Sequence, residues 1–134
     1  MVWLIVVDSN VWIFAETSGA PEHYLAIGKL QRYLKDEVGI NAIIFSEVFH
    51  KLSVLADPAT ARNRLGTIIH HPAVKWLNID EDQAGRAAEL AHKKALRIND
   101  AMIAQQAIDF NLSVLTDDTK DFGKVDKLRV IALR

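Results

Sequence analysis

Cysteine is absent from this chain of 134 residues. Disulfides, zinc–thiolate centres and thiol nucleophiles are excluded at once, and the absence fits a reducing compartment. Only three prolines and six glycines occur, and no repeat, linker-like stretch or low-complexity segment is visible. An excess of charge of one sign is also missing, because the formal net charge is −1. A DNA-packaging protein would be strongly basic, whereas an enzyme that meets nucleic acid locally needs only a cluster of basic groups. The apolar run Val2–Val7 is far too short to span a bilayer and too short for a signal-peptide core, and no basic residue precedes it. These absences predict a cytoplasmic protein without a membrane partner.

What is present is ordinary globular composition. Half the residues are apolar and a quarter charged, enough apolar surface for a core without a covalent staple. The length predicts one domain, residues 1–134.

Short apolar runs alternate with longer stretches of helical period. Val2–Val7 reads as a buried strand and Asn10–Ala15 as a short helix. From Glu22 the positions Leu25, Ile27, Leu30, Tyr33, Leu34 and Val38 keep a helical period, with Gly39 as its stop. Ile40–Phe45 reads as a second strand, and Ser46 as the cap of a helix from Glu47 to about Ala56. Asp57-Pro58 opens another helix to about His70. Val74–Ile79 is the third strand expected, and a capping-box-like start at Asp80 opens a helix to about Leu96. Asn99 would cap a helix from Asp100 to about Asn111. Ser113–Leu115 and Leu128–Leu133 complete the strands. Strands separated by helices imply parallel pairing and right-handed crossovers. The expected fold is therefore α/β, a three-layer α/β/α sandwich on a parallel sheet of about five strands. Ligand sites in such sheets lie beyond the carboxyl ends of the strands, where strand order reverses.

Acids sit at those ends. Asp8 follows the first strand, Glu47 the second, and Asp117 and Asp118 the fourth, while Asp100 opens the helix before the fourth. Carboxylates brought within a few ångströms repel, so they protonate or take a cation. Hard oxygen donors suit Mg²⁺ or Mn²⁺. An ion of that kind would activate water, polarise a phosphoryl oxygen and stabilise the leaving oxygen. This is chemistry for cleaving phosphodiesters. Each acid alone is equally well explained by helix dipoles or turn geometry; their joint placement carries the reading.

The same residues resemble the PIN-domain family. The run Asp8 to Trp12 after an apolar strand is similar to that family's opening motif, with Asn10 supporting Asp8. Ile40 to Phe49, containing Glu47, resembles its second motif. Ile98 to Ala104, containing Asp100, resembles the third. Leu115 to Phe122 resembles the last, with Asp118 as fourth acid by spacing from Thr116 and Asp121-Phe122 as a trailing pair. The adjoining Asp117 leaves the fourth position shared between two candidates. The motifs run in order along the whole chain, and the compact length resembles the VapC-type toxins. That resemblance implies an Mg²⁺- or Mn²⁺-dependent endoribonuclease acting on RNA, a homodimer, and a small antitoxin partner of a toxin–antitoxin pair. It implies metal binding and catalysis by Asp8, Glu47, Asp100 and Asp118. Asn10, Ser46 and Thr116 would orient those carboxylates.

Two other functions fit parts of the pattern. A haloacid-dehalogenase-like phosphatase would use Asp8 as nucleophile, but it expects a second acid at the position of Asn10 and leaves Glu47 and Asp100 without a role. A non-catalytic PIN or receiver-like module would bind a partner only. Among basic groups, Lys51, Arg62, Arg64, Lys93, Lys94 and Arg97 could meet a phosphate backbone, and Trp12, Phe14 and Phe49 could line a partner groove.

Overall fold

The computed structural model describes residues 4–134; the beginning of the first expected strand, Val2 and Trp3, lies outside them. Strand β1 (Leu4–Val7) is built of aliphatic residues that pack on both faces, as a central parallel strand requires. Asp8 ends it and caps helix α1 (Ser9–Ala15) by accepting from the Ser9 amide. Helix α2 (His23–Tyr33) follows, then β2 (Glu37–Ile40), α3 (Ala42–Leu55), α4 (Pro58–Ile69) and β3 (Val74–Trp76). The second half runs α5 (Glu81–Lys94), α6 (Ile98–Asp109), β4 (Ser113–Thr116), α7 (Thr119–Phe122) and β5 (Arg129–Ala132).

All strand pairs are parallel, in the order β3-β2-β1-β4-β5. Strand order therefore reverses beside β1, between the half of the chain that moves outward through β2 and β3 and the half that moves outward through β4 and β5. Right-handed crossovers then send the helices of the two halves to opposite faces. The packing within each half agrees: α1 touches α2 and α3, α3 touches α4, α5 touches α6, and α6 touches α7; between the halves α3 touches α6, where Asn41 meets Gln106. The fold is the expected α/β sandwich. No helix among the described residues is long and apolar enough to cross a membrane.

Several element boundaries differ from the sequence reading. The second strand is Glu37–Ile40, not Ile40–Phe45, and the helix expected to reach Val38 ends at Tyr33. Gly39 is not a helix stop. It lies in β2 beneath Leu77, where a Cβ would stand 2.6 Å from Leu77 Cδ1. The helix that carries Glu47 starts at Ala42, because Asn41 caps it by accepting from the Ile44 amide at 2.9 Å. Ile44, Val48 and Leu52 then form its buried stripe. Ser46 is consequently not a cap; its Oγ donates to Ile43 O within the helix. Asn99 is not a cap either: α6 begins at Ile98, after Arg97. The third strand is only Val74–Trp76, and the four-residue α7 was not expected.

Candidate metal centre

The reversal point puts the carboxyl ends of β1 and β4 side by side. The Asp8 amide donates to Leu115 O at 2.9 Å and extends the ladder one residue beyond β1. The Asp8 side chain is thus fixed where the sheet ends, only 4% exposed. Its Oδ2 accepts from Thr116 Oγ1 at 2.7 Å and from Asn10 Nδ2 at 3.3 Å, and its Oδ1 accepts from the Ser9 amide at 2.8 Å. Asn10 Oδ1 in turn accepts from the Asp117 amide, and Thr116 Oγ1 from the Asp118 amide at 2.9 Å. One small network therefore sets both the Asp8 carboxyl and the loop after β4. Burial nevertheless dominates. It pushes the Asp8 carboxyl up to about 6, against the pull of Thr116 and Ser9, and repulsion from Asp100 and Glu47 adds to the rise.

Asp100 comes from the first turn of α6, where the helix dipole favours an anion. Helix α5 ends at Lys94, and the left-handed backbone of Ala95 (φ 54°) then turns the chain toward Arg97. Asp100 is 3% exposed. Arg97 Nε and Nη2 donate to its two oxygens at 3.1 and 3.2 Å. That pairing first, then the charges of Glu47 and Asp118, hold the guanidinium still more firmly protonated.

Asp118 and Asp121 belong to α7. Asp118 caps this short helix by accepting from the Asp121 amide at 3.1 Å. Buried Phe122 fastens the turn to the core. Carboxylate oxygens of Asp100, Asp118 and Asp121 lie within 4.8 Å of one another. Asp121 also meets Lys124 Nζ at 3.1 Å, which holds its carboxyl below the ordinary range. Sequence reading passed over Asp121 as a ligand because α7 was not foreseen; the signal was the three-residue spacing from Asp118, which puts both on one side of a helical turn. Asp117 points into a different pairing. Arg134 grips it with Nε and Nη2 at 3.0 and 2.9 Å.

Glu47 lies in the second turn of α3, lining an open cleft of about 530 Å³ with Ser9, Ile13, Ser46, His50, Lys51 and Asn99. Among the described residues, Glu47 Oε1 and Trp12 Nε1 are the two buried side-chain polar atoms without a hydrogen-bond partner. A buried carboxylate oxygen with no donor is costly. A cation would relieve it, and the donor set here, carboxylate oxygens throughout, is that of a hard divalent ion. The residues fit Mg²⁺ or Mn²⁺. Of the other sequence candidates, Arg64 pairs with Glu16, Lys94 with Asp126, and Arg62 lies over the Phe49 ring. Trp12 is a core residue.

The elements that carry Glu47 and Asp100 are tied together from behind. Asn41 Nδ2 donates to Gln106 Oε1 at 2.8 Å, joining the start of α3 to α6. Gln106 Nε2 donates to Leu77 O and Asn78 O, after β3. Gln83 donates to Asp109, which Arg86 holds through two further bonds. The sequence reading missed Asn41 and Gln106, since polar residues inside helical or strand-like runs read as surface.

Comparisons with known proteins agree with the fold. The sequence profile of the PIN domain matches residues 5–128. No curated protein matches the chain in a sequence search. Among solved structures, a toxin–antitoxin complex from Klebsiella pneumoniae is 25% identical with a TM-score of 0.72, over 97% of this chain and 98% of that one. DNA-bound VapBC from Salmonella typhimurium is similar over the full length of both chains, at 16% identity and a TM-score of 0.76. VapC20 from Mycobacterium tuberculosis, described as a sarcin–ricin loop cleaving toxin, is 16% identical with a TM-score of 0.72, over 82% of this chain and 86% of that one.

Proposed function

Since the chain belongs to the PIN-domain family, we propose that it is a divalent-metal-dependent endoribonuclease and the toxin of a toxin–antitoxin pair. The observation that carries the reading is the meeting of carboxylates at the strand-order reversal, with a buried Glu47 oxygen left unpaired. Asp8, Glu47, Asp100 and Asp118 would hold Mg²⁺ or Mn²⁺, and Asp121 stands close enough to Asp118 to contribute. The ion would supply an activated water and charge for the leaving oxygen.

The chain's own groups do the rest. Thr116 and Asn10 orient Asp8 and keep its two oxygens distinct, one toward Ser9 and one toward the loop after β4. The cleft beside Glu47 offers Lys51 and His50 to a nucleic-acid strand. Burial raises the Asp8 carboxyl to about 6, so below that pH ion uptake displaces a proton. The solved toxin–antitoxin complex and VapBC similar to this chain support a small antitoxin partner, and the resemblance to VapC-type toxins supports a homodimer.

The test is cleavage of RNA by the purified full chain with Mn²⁺ or Mg²⁺, with chelator, and with Asp8→Asn. Cleavage is expected in the first condition alone. Hydrolysis of an aryl phosphate through an aspartyl-phosphate intermediate, with RNA left intact, would establish the phosphatase instead.

A further inference from the structure

Two observations meet at Arg97. Its side chain is 72% exposed, yet it holds one carboxylate with a fixed fork. Nε and Nη2 donate to Oδ2 and Oδ1 of Asp100 at 3.1 and 3.2 Å. Solvent-exposed arginines gain little from such pairing, because they give up rotamer freedom to hold it. The pair is local, three residues apart across the first turn of α6, but the helix end itself does not favour a cation at Arg97. Arg97 occupies the cap position of α6 but makes no side-chain capping bond, since guanidinium has no acceptor. It also sits at the positive end of the helix dipole, which disfavours a cation. What holds it there is the anionic surroundings: Asp100, with Glu47 and Asp118 acting through charge. Asp100 is at the same time one of the carboxylates that converge within 4.8 Å.

We propose that Arg97 is a resident cation that occupies Asp100 until a divalent ion takes that carboxylate, and that the released guanidinium then binds a phosphate of the RNA strand being cut. This rests on the nuclease reading above. Guanidinium and divalent ion draw on the same oxygen lone pairs and repel each other, so the more exposed and flexible of the two gives way. The guanidinium stays tethered beside the acids on the short link between α5 and α6. The anion next available to it is the one the substrate brings, and its planar fork suits phosphate in two-bond geometry. The metal-free protein is thus spared a bare cluster of acids.

The experiment is a titration of the full chain with Mn²⁺ alone, followed by the spin-resonance signal of free Mn²⁺, for wild type, Arg97→Gln and Arg97→Lys. Arg97→Gln is expected to bind Mn²⁺ at least threefold more tightly, and Arg97→Lys to fall between it and wild type. At Mn²⁺ saturating each protein, Arg97→Gln is expected to cut RNA at least tenfold more slowly. Its KM for single-stranded RNA should lose about 0.7 of log–log salt slope, the loss of one phosphate contact. Equal or weaker Mn²⁺ binding by Arg97→Gln overturns the resident-cation role. Tighter binding with unchanged cleavage and salt slope overturns the phosphate role. Wild-type protein that takes up no Mn²⁺ overturns this inference and the nuclease reading together. Wild-type protein that binds Mn²⁺ and cuts no RNA overturns the nuclease reading and the phosphate role, while the titration still decides the resident cation.

Discussion

Two polar clusters stand back to back in this molecule, and they are built on opposite terms. Behind α3 and α6, Asn41, Gln106, Gln83, Asp109 and Arg86 form a chain of hydrogen bonds in which the buried side-chain atoms all find partners. In front, Asp8, Glu47, Asp100, Asp118 and Asp121 share one region with like charge, a carboxyl raised by burial and a buried oxygen without a donor. Low local dielectric makes the first arrangement rigid and leaves the second, where Arg97 and Lys124 offset only part of the charge, unfavourable until a further cation arrives. The satisfied cluster contributes position; the unsatisfied one contributes affinity for a cation. Helices α3 and α6 contribute to both, so rigidity behind fixes the spacing of Glu47 and Asp100 in front.

The strongest way to break the comparison is to remove charge from the front cluster. Asp8→Asn keeps a group that can accept from Thr116 and relieves repulsion. It is expected to lower RNA cleavage by about 10³-fold or more, the scale of a lost group essential to the chemistry, with a chelator-treated melting temperature equal to or above wild type. A large drop in melting temperature would show that Asp8 is structural.

The back cluster should respond in reverse. Gln106→Leu leaves Asn41 Nδ2 and the Leu77 and Asn78 carbonyls without their partner. The expected loss is roughly 3 kcal/mol of stability by denaturant unfolding. Residual folded protein should still bind Mn²⁺; a stable variant would show that water replaces the glutamine.

Acidity sharpens the contrast. The Asp8 carboxyl lies above its ordinary 3.8, at about 6, so the folded state prefers it protonated. Its contribution to stability is complete below the ordinary value and is lost as pH rises through about 6. In chelator, wild type should lose on the order of 2–3 kcal/mol between pH 4 and 7 relative to Asp8→Asn. Saturating Mn²⁺ should flatten the difference. Parallel pH profiles of the two proteins in chelator would refute the buried-acid account.

The smallest effect is expected at Asp117. Its carboxylate is engaged by Arg134 away from the acids, so Asp117→Asn should leave Mn²⁺ affinity unchanged in the same titration. Asp118→Asn should weaken it severalfold. Equal weakening by both would place Asp117 at the ion.

Much of the site was readable from residue order alone. Asp8 and Asp118 follow apolar runs that read as central strands, so their place at the carboxyl ends of the sheet was expected from the pattern. Asp100 heads a helix whose far end must return to β4. What failed to read was local and polar. The run from Asn41 to Phe45 is apolar enough for a strand, but the capping bond of Asn41 to the Ile44 amide makes it a helix start. That moved Glu47 from the first residue of the expected helix to the second turn of α3. Gly39 read as a stop, although its smallness serves Leu77 from a distant segment. Asp121 read only as half of a trailing pair with Phe122 because a four-residue helix leaves too short a period to detect.

The sequence by itself determined the alternation of strand and helix, hence a parallel sheet, its crossovers and the edge at which strand-end acids gather. Periodicity is a local property, and crossover handedness follows from chain chirality. Only the tertiary structure decided which polar groups are paired. Asn41 finds Gln106 and Asp117 finds Arg134, while one oxygen of Glu47 finds nothing. Partner choice depends on distances between segments far apart in the chain, and no residue's type announces whether its neighbours in space will satisfy it.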